Sequence, residues 1–286
     1  MKRTILCSLS TLGIIFGATT AFADNSQSTV NQNGSRNGAT VDQSRLQSGS
    51  RSTINQNQAA VGGSNTANVN QSDVGSQSVA PANVSQVDQS SNNRATINQR
   101  QREDASANNS TVTQSGTGTG SVATLDQFGG DLRSTITQRG NNSNAAVKQS
   151  VDGQNVGGNS STVDLDDDDT ATVNQNTVAP TGADRGGNGS TVLQGAGANV
   201  ATVDQRGVFG SSTVNQSNDS TADVKQGGNN EASDVQQTGD QSNATVNQSG
   251  SDNQSTTTQG GFRNIARTTQ TGSGGSATTT QNGQED

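Results

Sequence analysis

The 286-residue chain has no histidine, tryptophan or tyrosine, and only one cysteine and five phenylalanines. Cys7 and two of the phenylalanines fall within residues 1–23, where Lys2 and Arg3 precede an apolar run and Ala21-Phe22-Ala23 forms a small-x-small cleavage signal. That pattern predicts a secretory signal peptide over 1–23 and a mature chain over 24–286. The apolar run is too short, and too interrupted by Ser and Thr, for a membrane-spanning helix. The mature chain therefore has no cysteine, although export would carry it to compartments where disulfides persist. With no His, no Cys and only Lys148 and Lys225 as lysines, it lacks the material for nucleophile–base pairs and zinc sites. No enzyme, metal centre or cofactor is expected. It keeps 14 of the 16 basic residues and all 24 acidic ones, a formal charge of −10. An acidic chain without basic clusters argues against nucleic acid and anionic membrane as partners. Only Phe128, Phe209 and Phe262 remain as aromatics, so composition alone reads as disorder.

Order along the chain reverses that reading. The unit [Ser/Ala]-x-[Val/Ile]-x-Gln occurs 21 times, beginning at Ser28, Ala39, Ser52 and Ala67 and ending at Ser255, Ala266 and Ala277. Its third position is Val, Ile or Leu in 18 copies and Thr in the last three, Thr257, Thr268 and Thr279. Its first position alternates Ser, Ala, Ser, Ala through twenty copies, failing only at Ala277. A strict alternation means that the true period is two units and that each period holds two non-equivalent strands. Ser-to-Ala steps are 10 or 11 residues in eight of ten cases, whereas Ala-to-Ser steps range from 11 to 19. Insertions therefore gather on one connecting side.

As a strand, the unit alternates with period two. Its small, aliphatic and Gln positions share one face, and its Thr and Asn/Asp positions share the other. Gly, Asn, Ser and Asp fill the connections, and Gln-x-Gly recurs at Gln114, Gln138, Gln205, Gln237, Gln248 and Gln270, as left-handed turns require. The expected fold is all-β: a β-solenoid of strand–loop–strand rungs, two strands per rung and about ten rungs. Stacking places like on like, so a buried Gln finds its partners in the Gln above and below. The expected self-assembly residues are Gln32, Gln43, Gln56, Gln71, Gln89, Gln99, Gln114, Gln127, Gln138 and Gln149. They continue as Gln175, Gln194, Gln205, Gln216, Gln226, Gln237, Gln248, Gln259, Gln270 and Gln281, with Leu165 replacing the Gln of one copy. Residues 24–27 before the first unit and 282–286 after the last are too few to cap such a stack. Open strand edges template further pairing, so the expected product is a homopolymer grown end to end.

The paired-strand alternation, Gln-x-Gly, and Asn264, Ala266 and Gln270 in an Asn-x-Ala-x-x-x-Gln pattern resemble the curlin repeat of bacterial curli subunits. The resemblance spans nearly all of the mature chain. It implies secretion across the outer membrane of a Gram-negative bacterium, cross-β amyloid fibres at the cell surface, and roles in biofilm matrix, adhesion and cell aggregation. It also implies a nucleator subunit, outer-membrane secretion factors and chaperone accessory proteins as partners. The rival class is a monomeric secreted β-solenoid adhesin or surface binder.

Three local signals remain. Asp164 and Asp166 to Asp169 could offer carboxylate oxygens to calcium, but regular calcium-loop spacing is absent and a solvated turn is the expectation. Asp42, Asp126, Lys148, Asp204, Arg206 and Lys225 read as outward gatekeepers or solubilising residues. Thr-x-Thr pairs suggest an ice-binding array, yet the fourth position is Asn or Asp in 12 copies and Thr in five, which is too mixed a surface.

Overall fold

The computed structural model describes residues 6–8, 26–34, 36–44, 49–57, 63–74, 83–90, 92–102, 106–116, 120–152, 158–178 and 186–283. No helix occurs among them. The chain divides into two units, Met1–Asn142 and Ser143–Asp286.

In the first unit, Ser-bearing repeats form β2 (Gln27–Asn33), β4 (Arg51–Asn57), β6 (Val84–Gln89), β8 (Asn109–Gln114) and β10 (Arg133–Gln138), hydrogen-bonded in that order in one sheet. Ala-bearing repeats form β3 (Gly38–Ser44), β5 (Thr66–Val74), β7 (Arg94–Arg102) and β9 (Val122–Phe128) in another. All pairings are parallel and in register: Ser28 on Ser52, Ser52 on Ser85, Ser85 on Ser110, Ser110 on Ser134. Ala39, Ala67, Ala95 and Ala123 stack likewise. Of residues 1–23, which the sequence pattern reads as a signal peptide, only Leu6–Ser8 is described, as a three-residue strand β1 paired with β2; the rest lies outside the described residues.

The second unit repeats the plan. β12 (Ser160–Leu165), β14 (Gly189–Gln194), β16 (Ser211–Gln216), β18 (Ala232–Gln237), β20 (Gln254–Gly261) and β22 (Ser276–Gly283) make the Ser sheet. β11 (Asn144–Asp152), β13 (Thr170–Val178), β15 (Val200–Arg206), β17 (Thr221–Gln226), β19 (Asn243–Ser251) and β21 (Ile265–Ser273) make the Ala sheet. Ala277, the break in the alternation, stacks on Ser255 in the Ser sheet, so position in the chain rather than residue identity assigns the strand.

The period-two reading holds at the level of burial. In β16, for example, Ser212, Val214 and Gln216 are buried while Ser211, Thr213 and Asn215 are exposed. The aliphatic columns form the core, with Ile54, Val87, Val112 and Ile136 fully buried in the first unit and Val163, Val192, Val214 and Val235 in the second. Each such side chain contributes about 1.5–3 kcal/mol of burial free energy. The interior between two sheets is narrow, which is why β-branched residues and alanines suffice where a globular chain would need aromatics.

The turn chemistry meets the sequence expectation at Asp, Asn and Gly positions and goes beyond it at Phe209, Gln241 and Arg263. The recurrent left-handed residue lies four positions after the Gln, at Asp131, Asn142, Phe209, Asn230, Gln241, Asp252 and Arg263, with φ between 53° and 59°. The Gln-x-Gly glycines Gly207, Gly250 and Gly272 are also left-handed, at φ 122°, 123° and 110°. Gly116 and Gly239 are not, and they are glycine for another reason. A Cβ on Gly239 would sit 1.9 Å from the Gly261 carbonyl oxygen of the next rung, and one on Gly116 would sit 2.3 Å from Gly140 O. These arcs stack backbone on backbone.

Candidate functional site

The interior Gln ladders form as the stacking argument requires. In the first unit, Gln32 donates through Nε2 to Gln56 Oε1 at 2.7 Å, Gln56 to Gln89 at 2.9 Å, Gln89 to Gln114 at 2.8 Å and Gln114 to Gln138 at 2.7 Å. In its Ala sheet, Gln43, Gln71, Gln99 and Gln127 are joined at 2.8, 2.8 and 3.0 Å. In the second unit, Gln194, Gln216, Gln237, Gln259 and Gln281 form one ladder. Gln149, Gln175, Gln205, Gln226, Gln248 and Gln270 form the other. Sixteen of the twenty are at most 4 % exposed. The four half-buried ones, Gln32, Gln43, Gln270 and Gln281, lie on β2, β3, β21 and β22.

Two features of the ladders were not legible from the repeat. First, every one of these bonds runs the same way, amide N–H toward the C-terminal neighbour. In most of the ladder glutamines Nε2 also donates across the interior, to the carbonyl of the residue just before a Ser or Ala of the opposing sheet. Examples are Gln56 to Gly38 O at 3.0 Å, Gln205 to Gly189 O at 2.9 Å and Gln237 to Thr221 O at 3.1 Å. A Gln so placed binds along the stack and across it, and the cross-sheet carbonyl sets its amide orientation. Second, Leu165 leaves a gap with a measurable trace: Gln194 Oε1, one rung further on, is buried without a hydrogen-bond partner.

A second inward polar column lies two residues before each Ser or Ala. Asn65, Asn93, Asn108, Asn159, Asn188, Asn199 and Asn253 occupy it, all at most 3 % exposed. Their Oδ1 atoms accept the backbone N–H of the next rung, as in Asn93 N to Asn65 at 3.0 Å and Gly210 N to Asn188 at 2.9 Å. Their Nδ2 groups donate to carbonyls of the adjoining arc, as in Asn199 to Gly195 O at 2.8 Å and Asn253 to Gly272 O at 3.1 Å. Of this column, the sequence pattern carried only Asn264 as a signal.

Two carboxylates stand in that column. Asp169 is fully buried, and its oxygens accept N–H from Asp166 at 2.9 Å and from the Asn199 backbone and side chain at 3.0 Å each. Burial pushes its pKa up to about 6 against those hydrogen bonds, with a smaller push from Asp166. The solvated-turn expectation thus holds for exposed Asp167 and Asp168 and fails for Asp169, which is part of the interior. Glu231, 1 % exposed, is also raised by burial; it receives Asn253 Nδ2 at 3.3 Å. Among the described residues, no group of three or more His, Cys, Asp or Glu is placed to hold a metal ion.

The Ser column presents a different case. The hydroxyls of Ser52, Ser110, Ser134, Ser161, Ser190, Ser212, Ser233 and Ser255 are buried without hydrogen-bond partners. An unpaired buried hydroxyl costs about 1–3 kcal/mol, whereas a small apolar residue costs nothing of the kind. Replacing Ser190, Ser212, Ser233 and Ser255 together with Ala, as Ala277 already stands in that column, is expected to preserve the fold and raise its denaturant midpoint. A lowered midpoint would mean that the hydroxyls are bonded.

Outward charges pair along their own strands: Arg206 with Asp204 at 3.1 Å and Lys225 with Asp223 at 2.6 Å, while Lys148 is exposed. Exposed pairs of this kind add little stability. Asp88 and Asp126 instead end outward amide ladders: Asn31 donates to Asn55, Asn55 to Asp88, Asn70 to Asn98 and Asn98 to Asp126 at 2.6–2.9 Å. A carboxylate accepts but cannot donate, so it fits the accepting end of a ladder running in this direction.

Among the described residues, no strand pairs with the outer edge of β3, β21 or β22. No helix among them is long and apolar enough to cross a membrane. No family model and no curated protein matches this chain.

Proposed function

We propose that this chain is a secreted structural subunit that polymerises end to end into extracellular cross-β fibres, resembling curli in biofilm matrix, surface adhesion and cell aggregation. The reading rests on one observation: two in-register parallel sheets whose matching ladders run, at β3, β21 and β22, to strand edges that no described strand covers. An edge of this kind offers backbone N–H and C=O groups together with Gln amides at the spacing that a further rung requires. The mechanism is templating, in which an exposed rung orders an incoming chain strand by strand. The partner is a second copy of the same chain. A nucleator subunit, outer-membrane secretion factors and chaperones belong to the proposal through the curlin resemblance, as does the surface of a Gram-negative bacterium as the location.

Purified mature chain incubated at neutral pH is expected to form dye-binding fibres with a meridional reflection at about 4.7–4.8 Å. A folded chain that stays soluble and monomeric for days would sink the polymer reading and favour a monomeric solenoid adhesin.

A further inference from the structure

We infer that Asp169 and Glu231 form an acid-responsive lock in the second unit, whose solenoid closes more firmly when these two inward carboxyls carry a proton than when they are charged. The inference stands apart from polymerisation, because it concerns closure of the rungs themselves.

The position is defined by what surrounds it. At Asn188, Asn199 and Asn253 this position holds an amide, with an oxygen accepting from the next rung and an N–H donating to an arc carbonyl. A carboxylate supplies only the first of these. At Glu231 the mismatch is visible: Oε1 receives Asn253 Nδ2, while Oε2 is buried with no hydrogen-bond partner. The Gly227 N–H, which lies close by, is already donated to Gln248 O at 2.9 Å. A proton on Glu231 turns Oε2 into a donor, as Nδ2 is in Asn253 of the next rung.

Among the described residues, no charged side chain faces Glu231. Its column neighbours are Gly210 and Asn253, and its arc is Gly227, Gly228, Asn229 and Asn230. The inward residues of β16, β18 and β20 are Ser, Val, Thr and Gln. Asp169 is faced by Asp166, with Asp167 and Asp168 in the same turn, and by the uncharged Ser143 and Asn199 of the neighbouring rungs. Of these, Asp166 opposes a charge on Asp169.

The direction of the pH effect follows from linkage. A carboxyl whose pKa is higher in the folded than in the unfolded chain stabilises the fold fully below its unfolded value, and that contribution is lost as pH rises through its folded value. For Asp169 the window runs from 3.8 to about 6. A separation of about two units corresponds to a roughly hundredfold change in the folded-to-unfolded ratio. Glu231 acts in the same direction from 4.5 upward.

The test is the chaotrope midpoint of the folded mature chain at pH 4.5 and pH 7.5, whether that chain is a monomer or a fibre. Wild type is expected to be more resistant at pH 4.5. Glu231→Gln keeps the shape and supplies the missing N–H, so it should raise the midpoint at pH 7.5 and shrink the pH difference. Asp169→Asn costs the Asp166 N–H its acceptor at both pH values, yet together with Glu231→Gln it should flatten the dependence. Asp234→Asn removes the same charge from an exposed position and should leave the dependence intact. A wild-type midpoint that does not fall between pH 4.5 and 7.5 overturns the lock, as does a double variant that keeps the full dependence or an exposed-site variant that abolishes it. Should the double variant not fold, carbon-13 titration of wild type decides: carboxyl midpoints for both residues in the ordinary range overturn the lock, and raised ones uphold it.

Discussion

Gly239→Ala is expected to lower the stability of the second unit by at least about 3 kcal/mol, the upper end of what overpacking costs, because the new methyl has nowhere to go. Its nearest obstacle is not a flexible side chain but the Gly261 carbonyl, 1.9 Å away, with Gly261 N at 2.7 Å. Relief requires the two rungs to separate, and separation breaks the parallel ladder that holds them. Gly239 has no left-handed φ, so backbone strain does not contribute. Gly250→Ala adds that strain to a contact of 1.8 Å with Gly272 O and should be worse. The matched control is Gly189→Ala in β14, where a Cβ meets nothing within 4 Å; this variant should be neutral or slightly stabilising. Denaturant midpoints of the three variants measure the effect. Similar midpoints for Gly239→Ala and Gly189→Ala would show that the arcs do not stack as closely as described.

Gln237→Leu should cost about 2–6 kcal/mol, since it strips partners from two buried amide groups at about 1–3 kcal/mol each and also removes a part-buried cross-sheet bond. Gln216 loses the acceptor for its Nε2, Gln259 Oε1 loses its donor, and Thr221 O loses its cross-sheet bond. The opposite change, Leu165→Gln, gives buried Gln194 Oε1 the donor it lacks and should stabilise by about 1 kcal/mol. If the proposed fibre forms, Gln237→Leu, Gln248→Leu and Gln259→Leu combined should alter its nucleation far more than Asn247→Ser with Thr258→Ser on the exposed face. Equal effects from the two sets would refute the inward placement of the amides as the basis of assembly.

Much of this architecture was legible because the repeat is a one-dimensional code. Ser, Val and Gln at alternate positions state which face is buried, and the Ser/Ala alternation states that there are two sheets. The ladders at Gln56 to Gln138 and at Gln194 to Gln281 follow from those two facts and from strand spacing. What escaped the reading involved contacts between rungs or between sheets. The repeat marks Gln237 as inward but says nothing of Thr221 across the interior. It marks Gly239 as a turn glycine but not as the floor of Gly261. It shows five acidic residues near position 166 but not that Asp169 alone turns inward.

The sequence by itself determined the strand period, the sorting of the two strand types and the residue that stands above each residue, because parallel in-register stacking copies chain order directly into neighbours. Tertiary structure alone decided the hydrogen-bond direction of the ladders, the closeness of the glycine arcs and the burial of Asp169 and Glu231. Those depend on where the second sheet and the next arc place their carbonyls and amides in space, a distance that no spacing along a single strand encodes.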